Sequence, residues 1–303
     1  MKIGAFTYVR NGIQFLYPFI ESIQSVLPIV DDFVVVVGDS TDGTREAILA
    51  LQSQKIRIVD TVWDMSLRTG GQLFANQANA GLDAVKGDWL IHIQADEVIH
   101  EKDVLKLKEH IVRYDRHPRV EGLLFPFLNF RGDYDHIHTG RCVHRHEIRA
   151  VRRNPLVRSY RDSQGFRKYS SLENFASGEK GEKLSVVKID IPVFHYSYVR
   201  PPKKMKLKSE FFSRFYNSDE AVQQVYSEME EFEYNDVDHL ERFRGTHPAS
   251  MQPWIKRKDW NFKYDPSKAR VKWRHRLLNA IERLTGWRIG EYRNYRLLKP
   301  FHI

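Results

Sequence analysis

The chain has 303 residues, 42% of them hydrophobic and 29% charged, a balance that fits a globular protein with one large or two modest domains and excludes a low-complexity or fibrous chain. Its longest aliphatic run is only Val34–Val37, and its single cysteine is Cys142, so the sequence offers no membrane-spanning helix and no intrachain disulfide. The net charge of +9 is concentrated: residues 251–303 hold 14 Lys or Arg against 4 Asp or Glu, and the first 250 hold 34 against 35. A basic tail on a neutral body predicts contact with something anionic.

Residues 2–9 read as a strand ending at Arg10-Asn11-Gly12. Phe15, Phe19, Ile23, Val26 and Leu27 then recur at helical spacing over 12–27, closed by Pro28. The run Phe33–Val37 does not alternate, as in a strand covered on both faces. It breaks into a turn at 38–44, where Asp42 or Thr44 is suited to cap the following helix. A third strand is expected at 55–62. Strand, helix, strand, helix, strand calls for a parallel sheet.

Residues 69–86 read as a helix that opens after a Gly-rich turn, with Ala75, Ala78, Leu82 and Val85 inward and Gly87 as its stop. The apolar stretch Trp89–Gln94 is a short buried strand that reaches Ala95-Asp96-Glu97. Ligands of open α/β sheets bind beyond the carboxyl ends of strands. A carboxylate buried there needs a partner, and a divalent metal is a good one; a solvated acidic turn is the plain alternative. An amphipathic helix at 100–115 and a strand at 121–130 follow.

Together these stretches resemble the GT-A fold glycosyltransferases, in particular glycosyltransferase family two. The turn Ser40-Thr41-Asp42-Gly43-Thr44 is similar to that family's nucleotide loop. Ala78-Asn79-Ala80-Gly81-Leu82 running into Gly87-Asp88-Trp89 resembles its central helix and metal-motif strand, and Gln94-Ala95-Asp96-Glu97 resembles its DxD motif with a trailing acid. Two departures stand out: Gln94 replaces the first acid of DxD, and Val37 stands where an acid usually precedes Asp39 by two. The resemblance implies an α/β, GT-A-like, mostly parallel sheet flanked by helices, a nucleotide-sugar donor, Mn or Mg held by Asp96, and inversion at the anomeric carbon. It implies that Thr7, Tyr8, Asp39, Arg68, Asn79, Gln94 and Ala95 line the nucleotide sugar.

Transfer to a hydroxyl also needs a general base within hydrogen-bond reach. Residues 131–174 are crowded with charge and histidine. His136-x-His138 and His144-x-His146 could suggest zinc, but no Cys pair or HExxH frame supports it, so an exposed acceptor loop is expected. Asp162-x-Gln164-x-x-Arg167 resembles the family's acidic motif, with Arg161 in place of the usual Glu, which implies Asp162 as base; a helix N-cap is the bland alternative. Asp133, Asp135 and Glu173 are reserves. His195, at the end of a late strand, resembles the C-terminal metal ligand of several GT-A enzymes. Arg200, Lys203 and Lys204 just beyond could cover the diphosphate as a lid.

Pro201-Pro202 divide the chain into a nucleotide-sugar-binding catalytic domain, 1–200, and a basic, mainly helical region, 201–303. In the latter, Val271, Trp273, Leu277, Leu278, Ile281 and Leu284 share one helical face, which packs on the body or on another subunit, or lies on an anionic membrane. Nucleic acid is not an expected partner. The expected protein is an inverting, metal-dependent glycosyltransferase, cytoplasmic or at the inner face of a membrane, acting on a saccharide or glycolipid acceptor. A nucleotidyltransferase and a non-catalytic carbohydrate- or membrane-binding protein of the same fold are the rivals.

Overall fold

The computed structural model describes residues 1–67, 70–162, 165–235, 237–265 and 273–299. The chain runs β1 (Ile3–Val9), α1 (Phe19–Val26), β2 (Asp32–Val37), α2 (Thr44–Leu49), β3 (Ile56–Asp60), α3 (Gln72–Ala84), β4 (Trp89–His92), β5 (Glu97–Ile99) and α4 (Glu101–Asp115). It continues through β6 (Gly122–Arg131), β7 (His136–His138), β8 (His146–Arg152), β9 (Val157–Ser159), β10 (Phe166–Lys168), α5 (Leu172–Ala176), β11 (Glu182–Lys188) and β12 (Val193–Tyr198). The last part holds α6 (Pro202–Ser213), α7 (Asp219–Tyr226), β13 (Leu240–Arg242), α8 (Gln252–Lys256), α9 (Trp273–Thr285) and β14 (Tyr295–Leu297).

The main sheet has the order β3-β2-β1-β4-β8-β6-β11-β10-β9. Its N-terminal side is parallel, with Val35 opposite both Thr7 and Ile58, and Phe6 opposite His92. β8 then enters antiparallel between β4 and β6. β6 is long enough to serve two sheets: its first residues pair with β8 and β11, and Phe127–Arg131 pair with β12, which also takes β5. The result is a GT-A-like α/β fold, a mixed sheet flanked by helices.

The covered strand behaves as its composition requires. Phe33–Val37 are at most 1% exposed. Phe33, Val35 and Val37 face one core with Ile23 of α1 and Leu107 of α4, and Val34 and Val36 face the other with Ala78 and Leu82 of α3. Burying a valine on this scale is worth about 1.5–3 kcal/mol as an upper estimate.

Three local expectations are corrected. α1 begins at Phe19, because residues 11–17 form a loop with Asn11 and Leu16 at left-handed φ. The residue flanking α2 is Gly43, which gives no side-chain cap; Asp42 Oδ1 accepts from the Thr44 amide at 3.1 Å, while Asp42 Oδ2 and the Thr44 hydroxyl accept from the Gln14 and Gly12 amides of that loop. Gly87 is no helix cap; a Cβ there would meet the Gly4 nitrogen at 2.5 Å, so it lets this turn close on β1.

The 201–303 region is less purely helical than expected, since β13 pairs with β7 and β14 returns beside β11. On α9, Leu278 and Ile281 are half-buried, but Trp273, Leu277 and Leu284 are exposed; Val271 lies outside the described residues. Among the described residues no helix is long and apolar enough to cross a membrane.

Candidate active site

A cavity of about 730 Å³ opens beyond the carboxyl ends of β1 and β4. Tyr8 and Val9 reach it from β1, Gln94, Ala95 and Asp96 from the turn after β4, and His195 and Ser197 from β12. Asp162 enters from the β9–β10 turn, and Met205, Lys208, Phe212 and Tyr216 enter from α6 and the residues after it. Residues on both sides of position 200 therefore line this cavity.

Asp96 lies just past the end of β4 and is tied to β12 by the Tyr196 amide, which donates to its carbonyl at 2.8 Å. Its carboxylate has His195 Nε2 at 3.7 Å and Lys208 Nζ at 3.6 Å. Burial pushes its pKa up, but His195, Lys208 and Arg200 outweigh that and hold it below the usual carboxylate range. His195 Nδ1 is 2.8 Å from Asn129 Oδ1. Only a protonated Nδ1 can donate there, which leaves the Nε2 lone pair on the Asp96 side. Burial, the largest influence, keeps this imidazole below its ordinary pKa despite Asp96 and Glu97. A carboxylate oxygen facing a neutral imidazole nitrogen, itself oriented by an amide, is a donor set that fits a divalent cation.

Lys208 is the residue that the sequence reading missed. Its Nζ donates to Ser197 O at 2.9 Å and Ser197 Oγ at 2.8 Å, and burial brings its pKa down to about 7. The signal was present: Met205, Lys208 and Phe212 recur at helical spacing, so a lysine falls on the buried face of α6.

Glu97, the trailing acid, turns away from the cavity. Arg149 donates to both of its oxygens at 2.8 and 2.6 Å, both side chains are buried, and Glu97 also accepts from the Gln94 amide at 3.1 Å. It fixes the turn that presents Asp96.

Asp162 is not a helix cap. β9 and β10 pair antiparallel around it, and the Tyr216 hydroxyl donates to its carboxylate. Desolvation raises its pKa above the usual value, opposed by Tyr216 and Lys208. Asp162 packs on Gly71, just before α3, where φ is +72° and a Cβ would meet the Asp162 backbone at 2.6 Å.

Tyr8, Gln94 and Ala95 line the cavity, and several other residues lie elsewhere. Thr7, one position before Tyr8 on β1, is fully buried and does not line the cavity. Asn79 is buried in α3 and accepts from the Ser159 amide at 2.8 Å, fastening β9. Arg200 is no lid: it is 0% exposed, donates to the Phe15 and Ser197 carbonyls, and stacks on Tyr17. Asp39 is held by Arg10 at 2.8 and 2.9 Å, and Arg10 rather than Asp39 lines the cavity. Arg68 and Gln164 lie outside the described residues.

The reserve bases do not reach the cavity: Asp133 is buried against His136, and Asp135 and Glu173 are exposed elsewhere. The histidine stretch is more ordered than the expected loop. His138 is buried in β7 and bonds Asp238 at 2.6 Å, His136 pairs with Asp133, and His144 pairs with Glu147. These pairs do not converge as His-x-His metal sites.

Fold and cavity together define a GT-A-like α/β protein with an acidic and imidazole cluster at the carboxyl end of its parallel strands. Residues 6–118 match the model of glycosyl transferase family 2, and the chain is glycosyltransferase family two-like on that segment. No curated protein matches the sequence. Among solved structures, TarS of S. aureus is 20% identical over 43% of this chain and 23% of its own, with a TM-score of 0.33. The mannosyltransferase PcManGT from Pyrobaculum calidifontis, in complex with GDP-Man and Mn2+, is 19% identical over 43% of this chain and 36% of its own, TM-score 0.32. Glucosyl-3-phosphoglycerate synthase from Mycobacterium tuberculosis, in complex with Mn2+, UDP and glucosyl-3-phosphoglycerate, is 20% identical over 43% and 45%, TM-score 0.30. The matched part spans less than half of each.

Proposed function

We propose that the chain transfers a sugar from a nucleoside-diphosphate sugar to a hydroxyl of a saccharide or glycolipid, with inversion at the anomeric carbon. The observation that carries this reading is one cavity that holds Asp96, His195 and Lys208 together with a separate carboxylate, Asp162, in a chain whose residues 6–118 match glycosyl transferase family 2. Asp162 takes the proton of the acceptor hydroxyl as its oxygen bonds to C1, and the bond from C1 to the diphosphate oxygen breaks with its electron pair on the leaving group. Lys208 meets the charge that grows there. Asp96 Oδ1 and His195 Nε2 would hold Mn or Mg, which supplies further charge stabilisation to the diphosphate. Tyr8, Arg10, Gln94 and Ala95 line the donor. The catalytic unit takes in α6 as well as residues 1–200.

The exposed Trp273, Leu277 and Leu284 of α9 and the nearby Trp287, in a basic region, support a peripheral contact with an anionic membrane surface. The Gln94 substitution favours the rival reading, a non-catalytic carbohydrate-binding protein. A thermal-shift panel of nucleoside diphosphates with and without Mn, followed by assay of the matching nucleotide sugars, separates the two. The expected result is one base that stabilises the chain in Mn, turnover of its nucleotide sugar, and loss of both in Asp96→Asn. A chain that no nucleoside diphosphate stabilises and that turns over no nucleotide sugar would end the enzyme reading.

A further inference from the structure

The chemistry above leaves Cys142, Asp238 and His275 unused. They come from the β7–β8 loop, the segment before β13, and α9, yet their ligand atoms lie within 4.8 Å of one another. Cys142 Sγ is 3.8 Å from His275 Nδ1. We infer that these three side chains bind one zinc ion, with solvent as the fourth ligand, and so clasp α9 to the β7–β8 loop at the rim of the active cavity. Cys142 and His138 both line that rim.

The donor set fits the ion. Thiolate, imidazole and carboxylate suit zinc better than magnesium or calcium. Tetrahedral bonds of about 2.3 Å to sulfur and about 2.0 Å to nitrogen place those two atoms roughly 3.5 Å apart, close to the separation seen. Asp238 is also oriented as metal-bound carboxylates are. Its side chain is 1% exposed, Oδ1 accepts from His138 Nε2 at 2.6 Å, and Oδ2 accepts from the Arg141 amide at 2.6 Å. Oδ1 keeps a further lone pair for a ligand bond.

The local charges are balanced. Arg141, Arg145 and Arg288 approach Glu282 at 3.3, 2.7 and 3.5 Å, and Arg288 also approaches Glu291 at 3.5 Å. With Asp238 these make three cations and three carboxylates, so the bound ion itself supplies the charge that ionises Cys142. On binding, the thiol proton leaves to solvent and the Zn–S bond forms; zinc, thiolate and carboxylate then sum to zero charge.

The test uses the full chain, stripped with chelator and titrated with Co2+ as a spectroscopic stand-in for zinc. One equivalent should produce a near-ultraviolet thiolate-to-cobalt band that zinc displaces. Cys142→Ser, a change at an exposed position, should abolish the band in a folded chain. His275→Ala should weaken Co2+ binding at least tenfold, and His138→Ala, acting through Asp238, by about 10–100-fold. Asp96→Asn should leave the band intact, which separates this site from the cavity's own. Absence of a thiolate band in the unmutated chain, or a band with unchanged affinity in His275→Ala, would overturn the inference.

Discussion

The Lys208 ammonium lies 3.6 Å from the Asp96 carboxylate, held there by two bonds to Ser197. With Gln94 in place of an acid, Asp96 is the one carboxylate of this turn that faces the cavity, and an ammonium already neutralises it. With its pKa brought down to about 7 by burial, Lys208 is charged in part of the population at neutral pH, and in that form it is a cation for the diphosphate and a competitor for the metal. Lys208→Met should weaken binding of inorganic pyrophosphate by about 10–100-fold, the worth of a hydrogen bond to a charged group at about 1.5–3 kcal/mol. The same variant should bind Mn2+ more tightly. Calorimetric titration with each probe checks both; if neither moves, Lys208 is only a peg for Ser197.

Asp162→Asn should lower kcat by about 10²–10⁴-fold, the range of general-base catalysis, with nucleotide affinity unchanged. Tyr216→Phe tests the assignment more sharply. A base works deprotonated, so the rate climbs as pH passes its pKa. Desolvation raises that pKa above the usual Asp value and the Tyr216 hydrogen bond draws it back down. Without the hydroxyl the pKa rises further, and the acid limb of kcat/KM should move to higher pH. A limb that stays put or moves to lower pH would remove Asp162 from the role.

The N-terminal half was legible because its signals are local. A five-residue apolar run with no alternation, Phe33–Val37, has one stable placement, between two covered faces. The turn at 94–97 was legible as a candidate site for the same reason: its carboxylates follow a buried strand, and Asp96 lines the cavity. What periodicity could not supply was the direction of side chains after long-range closure. Asp96 and Glu97 are adjacent, yet one faces the cavity and the other Arg149, 52 residues away. Thr7 and Tyr8 divide in the same way. Arg200 read as a lid because it follows a strand and precedes lysines; only the fold shows that the Phe15 carbonyl, 185 residues earlier, receives it. Gly71 read as part of a helix-opening turn, and its closer constraint, the backbone of Asp162, is equally invisible to spacing.

Glu147 gives a stability prediction with a defined sign. It is 8% exposed, and desolvation raises its pKa to about 7 despite Arg149, with Glu97 adding to the rise. The folded state therefore binds a proton that the unfolded chain releases near its ordinary pKa of about 4.3. Its contribution is present in full below that value and is lost as pH rises through about 7. Glu147→Gln should flatten this slope and be more stable than the unmutated chain at pH 8 by up to about 3 kcal/mol, with little difference at pH 4. Urea unfolding of both chains across that window checks it. Parallel curves would place the charge of Glu147 in better-solvated surroundings than its burial indicates.

The apolar side of α9 is open to solvent. Trp273, Leu277 and Leu284 follow one another by four and seven residues, which puts them on one helical face, and they are 77%, 53% and 86% exposed. Trp287, 68% exposed, extends the patch beyond the helix. Water is a poor solvent for such a stripe, and a patch of this kind marks an interaction surface. The 14 Lys or Arg against 4 Asp or Glu in residues 251–303 select an anionic partner, each cation near a membrane surface being worth about 1 kcal/mol. The full chain should co-sediment with vesicles rich in phosphatidylglycerol, bind neutral phosphatidylcholine vesicles far more weakly, and dissociate as salt is raised. Trp273→Glu with Leu284→Glu should cut that binding at least tenfold and leave turnover of a soluble acceptor unchanged, since neither residue lines the cavity. If the double variant instead changes only the oligomeric state, the stripe is covered by a second copy of the chain and the membrane contact is wrong.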